Sequence, residues 1–426
     1  MKLKLSLVSL LAMSTLQATS LSEAVKTGIN YDPEVLAETK RYEVKDKSVA
    51  LAESGYLPKV DLYGGIGYEE TDRENLHSAQ KNENFTRKEA SARLRQPIFE
   101  GFDTTYAVSA ANFDREASAY GLEALKGNKT LKIIKAYLNV LQMQKIAALA
   151  KDNLNTHKKI ESSISQRHAQ GVSTKADLIQ IKGRVQSAET NLLSSKNNVQ
   201  DAKATYFSVV GEMPHNLQSV SSSQVKIPSS LQSAISQSVT DHPTMLASQR
   251  NVSTAQSRRD GSESGYYPHL YADLSANHEV DAGGIEGPQD TYQAMVRVEW
   301  NIFNGFKEEK RHEISQIEVL RAGDQSSDTQ RQLELETRLS WNVYSSIKQQ
   351  LKPLKNHVAY AKEATKLYEE QYTVDRRSLI DVLNSQVEYF NANRAFVKAR
   401  YDEIAAKYRV LNSIGTINQT LGVTTK

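Results

Sequence analysis

The 426-residue sequence contains no cysteine. That excludes a disulfide scaffold, thiolate zinc sites, a cysteine nucleophile and a lipid anchor on an N-terminal cysteine. Proline is also scarce. The 9 prolines are about 2% of the chain against a usual ~5%. Because proline breaks a helix interior, the scarcity favours long uninterrupted helices. Excess charge of one sign is missing too: 53 Lys+Arg against 50 Asp+Glu leave a net +3. A nucleic-acid-binding domain would be strongly basic, so no nucleic-acid partner is expected. No segment after the N-terminal one reaches 18 uncharged apolar residues, so no helical membrane span is expected. If the chain meets a membrane, it must do so as β-structure.

Catalytic motifs are lacking as well. The nine histidines (His77, His157, His168, His215, His242, His269, His278, His312 and His357) form no His-Glu-x-x-His pair. There is no phosphate-binding Gly-x4-Gly-Lys-Ser/Thr loop and no Gly-x-Ser-x-Gly elbow. Gly64-Gly65-Ile66-Gly67 lies within an alternating strand rather than a dinucleotide loop. The acidic stretch Glu69 to Glu74 reads as a solvated hairpin end. These absences predict a non-enzyme with no cofactor and no metal site.

At the N-terminus, Lys2 and Lys4 precede an apolar stretch from Leu5 to Leu16. Ala18-Thr19-Ser20 puts small residues at the −3 and −1 positions of a cut after Ser20. Residues 1–20 therefore read as a secretory signal peptide. The alternative is a buried N-terminal helix.

The rest of the chain repeats itself. Asp32-Pro33 recurs as His242-Pro243, and Ser54-Gly55-Tyr56-Leu57-Pro58 as Ser264-Gly265-Tyr266-Tyr267-Pro268, at an offset of 210. Pro97-Ile98-Phe99-Glu100-Gly101-Phe102 recurs as Asn301-Ile302-Phe303-Asn304-Gly305-Phe306, Asp177-Leu178 as Asp381-Val382, and Gly211 as Gly415, at 204. Two constant offsets separated by one shift indicate a duplication, with a longer loop in the first copy. The expected organisation is a first repeat at 21–211, a linker at 212–230, a second repeat at 231–415 and a tail at 416–426. Each repeat reads as a helix of about 33 residues, two alternating segments, a helix of about 65 and a last helix of about 36, all rich in good helix formers. The long helix would span ~98 Å, and Pro353 inside its second copy should kink it.

The alternating segments have one apolar and one polar face. Val60, Leu62, Ile66 and Tyr68 alternate with Asp61, Tyr63, Gly65 and Glu69; Ala92, Leu94 and Ile98 alternate with Ser91, Arg93 and Arg95. In the second copy Leu270, Ala272, Leu274 and Ala276 face one way. The return segment places Tyr292, Ala294, Val296, Val298, Trp300 and Ile302 on its apolar face. Segments of this length suit a tilted transmembrane strand, although a half-buried strand of a soluble sheet has the same period. Four strands cannot close a membrane barrel, and open edges are not tolerated in lipid. Membrane strands would therefore have to come from several chains. Three chains would supply twelve.

The signal peptide, the duplicated helix–hairpin–helix unit and the Phe-x-Gly-Phe helix start resemble the TolC family of outer-membrane channel proteins. So does the stretch from Tyr372-Thr373-Val374 through Asp381-Val382-Leu383, Tyr389, Asn393 and Ala399-Arg400-Tyr401 to Gly415-Thr416-Ile417-Asn418. The resemblance implies a mainly α fold with transmembrane β-structure: long helical hairpins forming a trimeric α-barrel, topped by a shared twelve-stranded outer-membrane β-barrel. It implies a homotrimer in the outer membrane with a long periplasmic portion. Its partners would be outer-membrane lipid, a periplasmic adaptor and, through the adaptor, an inner-membrane pump or ABC transporter. Arg377-Ser378-Leu379-Ile380-Asp381-Val382-Leu383 looks most like members serving type I protein secretion, with drug or small-molecule efflux as the alternative. A soluble periplasmic adaptor or coiled-coil spacer is the competing class.

By position, the resemblance puts Asp381 and Asn384 at the pore constriction and makes Asp177, Tyr372 and Arg377 a gate latch. The adaptor-docking ends would be Gly171, Val172 and Ser173 in one turn and Val374, Asp375, Arg376 and Ser378 in the other. Two residues depart from the family pattern: Asn384 where a second acid is common, and Asp375 where the turn has glycine. A solvated helix end is the alternative reading of these charges.

Overall fold

The computed structural model describes residues 18–71 and 84–423. The signal segment as far as Gln17, His77, the acidic loop beyond Thr71 and the last three residues lie outside this range. The chain divides into two compact units. One comprises the residues up to Glu38, Leu122–Pro243 and those from Gln330 onward; the other comprises Thr39–Gly121 and Thr244–Thr329.

The same order of elements occurs twice. The first set is α1 (Leu21–Tyr31), α2 (Pro33–Glu53), β1 (Lys59–Glu70), β2 (Asn84–Phe99), α3 (Asp103–Ala169) and α4 (Lys175–Val210). The second is α5 (Leu231–Thr240), α6 (Pro243–Gly261), β3 (His269–Ala282), β4 (Ile285–Glu299), α7 (Lys307–Thr373) and α8 (Leu379–Ser413), followed by the short α9 (Ile417–Thr420). The first helix of each repeat, expected to be continuous, is broken in two. Asp32 adopts φ −68° and ψ 117°, the extended geometry a following proline imposes. Its carboxylate then caps α2, accepting from the backbone N–H of Glu34 and Val35 at 2.9 and 3.2 Å. A second break, between α5 and α6, likewise falls just before a proline, Pro243. The long helices α3 and α7 have 67 residues each, and α7 runs through Pro353.

In the second unit, the four strands form one antiparallel sheet in the order β1-β2-β3-β4. The register aligns Val60, Leu94, Leu274 and Ala294 in one row and Leu62, Ala92, Ala276 and Tyr292 in the next. This apolar face is bare: Leu62 and Tyr292 are each 78% exposed. The opposite face is polar and internally paired. There Asp273 is gripped by Arg93 and Arg95 at 3.1 Å each and by Arg297 at 2.8 Å. β4 ends at Glu299, so Trp300 and Ile302 fall beyond it. Leaving the sheet, Gly101 and Phe102 take φ of +61° and +66°, and Gly305 and Phe306 take +71° and +62°. A Cβ on Gly101 would lie 2.6 Å from the Ser264 carbonyl, so only glycine fits that elbow. A positive φ on phenylalanine is costly. Edge-to-face packing of Phe102 on Phe99 at 5.2 Å, and of Phe306 on Phe303 at 5.5 Å, offsets part of that cost.

In the first unit, α1 buries Leu21, Ala24, Val25 and Ile29 and packs against α4. The approach is close: a Cβ on Gly28 would lie 2.8 Å from the Val209 carbonyl. Ser20 caps α1 through a reciprocal pair with Glu23. The inter-repeat linker is tied down by Ser222, whose hydroxyl donates to Glu403 at 2.7 Å and whose carbonyl accepts from Lys407 at 2.8 Å.

Candidate functional site

The candidate site lies at the turn ends of the two helical hairpins, α3–α4 and α7–α8, all within the first unit. A shared apolar core joins them. Ile164 and Ile181 come from the first hairpin and Leu379 and Leu383 from the second, all nearly or fully buried. Ile160, Leu178 and Tyr372 pack against this group. Four helix ends thus meet around side chains placed at helical spacing.

The two turns are built alike. Val172 N–H donates to the Arg167 carbonyl at 2.8 Å, and Arg376 N–H to the Gln371 carbonyl at 2.9 Å. Each turn needs one left-handed residue: Gly171 at φ +74° and, at the equivalent position, Asp375 at φ +57°. Aspartate tolerates that region better than most residues because its short side chain bonds locally. Val172 and Val374 are both well exposed at the turns, 59% and 62%.

The next helix begins in the same way in each hairpin. Thr174 caps α4, its hydroxyl accepting from Asp177 N–H at 3.1 Å and donating to the Asp177 carboxylate at 2.7 Å. Ser378 caps α8 and donates to the Asp381 carboxylate at 2.8 Å. Ser173 also donates to Asp177, at 3.3 Å. Both aspartates therefore sit at the third helical position, where a carboxylate also complements the helix dipole.

The remaining predicted residues separate into contacts within a hairpin and contacts between hairpins. Arg377 stays within its own hairpin. It donates to Gln371 at 3.2 Å, lies 3.7 Å from Asp381 and stacks 4.0 Å over the Tyr368 ring. Asn384 reaches across, accepting from Arg184 of α4 at 2.9 Å. Tyr372 also faces the other hairpin, with the Arg167 guanidinium 5.3 Å from its ring centre. Burial pushes the Tyr372 phenol above its usual pKa; Arg167 opposes this, while the charges of Asp177 and Asp375 add to it. Arg376 and Ser378 complete the second turn.

Two residues that bridge the hairpins, Arg167 and Arg184, escape sequence reasoning. Nothing local marks them, because their partners lie 208 and 200 residues away. The capping pairs Thr174-x-x-Asp177 and Ser378-x-x-Asp381, by contrast, are legible as a helix-start pattern.

Known proteins resemble the chain over most of its length. Residues 28–212 and 234–416 match the outer membrane efflux protein family. The chain is 25% identical over 373 residues to the outer membrane efflux protein BepC of Brucella suis, covering 87% of this chain and 80% of that protein. It is 20% identical over 437 residues to the proteases secretion protein PrtF of Dickeya chrysanthemi, covering 97% and 92%. The crystal structure of the outer membrane protein VceC from Vibrio cholerae superposes with a TM-score of 0.75 at 16% identity, over 93% of this chain and 96% of that one.

Proposed function

The chain belongs to the outer membrane efflux protein family and is an outer-membrane channel protein, not an enzyme; from that premise we propose that three copies assemble into one gated conduit. The observation that carries this reading is the four-stranded sheet, with its bare apolar face and with no partner strand, among the described residues, on the outer edges of its two end strands β1 and β4. Lipid accepts the apolar face but not the open edges. Three sheets joined edge to edge make a closed twelve-stranded barrel with polar side chains inward, consistent with known barrel sizes. The α-helices then continue the conduit into the periplasm.

The hairpin ends form the gate in this reading. Three Asp381 carboxylates, flanked by Asn384, ring the constriction, and such a ring favours cations. Asp177, Tyr372 and Arg377 act as its latch. The exposed turns, Gly171–Ser173 and Val374–Asp375 with Arg376 and Ser378, meet a periplasmic adaptor that connects to an inner-membrane pump. The channel itself is passive, and its partners supply the energy.

For cargo we favour a secreted protein. The likeness to a protease secretion protein over nearly the whole length supports this, as does the Arg377–Leu383 stretch. The relative BepC, an efflux protein, favours small-molecule export as the second reading. Mass spectrometry of the secreted proteins of a deletion strain and its parent separates the two. Loss of a large exported protein in the deletion strain is expected. An unchanged secretome together with increased drug susceptibility would overturn the secretion reading in favour of efflux.

A further inference from the structure

The duplication makes Arg167 and Gln371 equivalent positions, yet their side chains do different things. Gln371 accepts from Arg377 and stays within its own hairpin. Arg167 leaves its hairpin and donates through Nη2 to the Asp375 carboxylate of the other turn at 3.0 Å. Its guanidinium covers the ring of Tyr372, itself packed on the shared apolar core. The Arg167 carbonyl meanwhile accepts two N–H groups of its own turn, from Val172 and Ser173. One residue thus holds the first turn through its backbone and the second through its side chain.

Asp375 has the complementary oddity. Its position demands a left-handed backbone, and glycine supplies that at no steric cost at the equivalent Gly171. Aspartate is strained there, and it gives the turn a carboxylate aimed at Arg167. Asp177 is engaged by the α4 cap and Arg377 by its own hairpin. The ion pair between the two turns is therefore Arg167–Asp375.

We propose that Arg167 and Asp375, with Tyr372 as the platform, form a clamp between the two hairpin ends of one chain and act as a gate-holding element beyond the Asp177–Tyr372–Arg377 set. The proposal rests on the gated-channel reading above. A gate that opens at the hairpin ends must part or tilt these hairpins, and a charge-assisted link across them resists that movement. The Asp375 side chain is 76% exposed, so salt weakens the clamp.

The test uses the full mature protein in planar bilayers, comparing wild type with Arg167→Gln, Asp375→Gly and the charge swap Arg167→Asp/Asp375→Arg. Asp375→Gly removes the carboxylate while relieving the backbone, so a folding defect cannot account for its effect. Both single substitutions should raise the open fraction about two- to fivefold at low salt, and the swap should return it toward wild type. At about 1 M salt the difference should shrink. A conducting wild type with both singles unchanged overturns the clamp. A second measurement does not depend on conduction. The chain has no native thiol, so Arg167→Cys/Asp375→Cys can be treated with a short bismaleimide. Intrachain cross-linking supports the clamp, and failure to cross-link overturns it. A wild type that never conducts, together with a double-cysteine variant that does cross-link, would sink the channel reading while leaving the contact standing.

Discussion

Two buried histidines of the first unit carry a pH dependence. His157 is 1% exposed, and its Nδ1 lies 2.9 Å from the Asn153 carbonyl. Burial lowers its pKa, the backbone hydrogen bond opposes that, and the Arg184 charge lowers it further. His242, whose Nε2 lies 3.2 Å from the Asn412 carbonyl, is also lowered by burial. An unfolded imidazole protonates near pH ~6.5. Below that value the unfolded chain binds more protons than the folded one, so stability falls as pH falls. Thermal unfolding in detergent should show Tm decreasing from about pH 7.5 to 5.5, and His157→Asn should flatten part of that slope. An unaltered slope would move the effect to other groups. Asp381 is tested at the same scale: Asp381→Asn should weaken block of the bilayer conductance by multivalent cations, and unaltered block would place the cation-attracting ring elsewhere.

At the scale of elements, the hairpin ends depend on a small core and two caps. Leu383 is fully buried among Ile164, Ile181 and Leu379. Leu383→Ala should cost about 2–5 kcal/mol. Because this core joins both hairpins, amide exchange should accelerate on both sides of it. Thr174→Ala and Ser378→Ala each remove a cap worth about 1 kcal/mol, and faster exchange should be confined to the first turn of α4 or α8. The helices and the strands were legible in the residues, because helix-former composition and a 2-residue alternation are local. The break at Asp32 was equally local: the Asp32-Pro33 and His242-Pro243 pairs mark it. The continuous helix read there gave helix propensity more weight than the proline restriction.

At the scale of the whole molecule, one chain supplies a sheet that cannot stand alone in lipid. The apolar row through Leu62 satisfies a membrane, and the edges β1 and β4 demand neighbours. Leu62→Arg puts a charge on the lipid-facing side, at a cost of up to about 4 kcal/mol depending on depth. Native mass measurement in detergent should find a trimer for the wild-type protein and loss of assembled species for this variant. A wild type recovered as a detergent-free periplasmic monomer would count against the channel assembly. The polar face makes a different demand. Asp273 is nearly buried and held by three arginines, so truncating it would leave positive charge clustered without its partner.

The sequence alone determined the duplication, the long helices and the strands with one apolar face. Each follows from residue types at short or regular spacing, where local sterics and burial dominate. Only the tertiary structure decided which side chains meet at the hairpin ends. Asp177 and Asp381 were legible as charged residues near a turn, but a charge has no partner until the chain is folded. Arg167 finds Asp375, and Arg184 finds Asn384, because an apolar core brings two distant helix ends within hydrogen-bonding distance. No periodicity encodes a pairing across some two hundred residues. It arises from packing, which brings these groups close enough for charge and hydrogen bonding to select the partners.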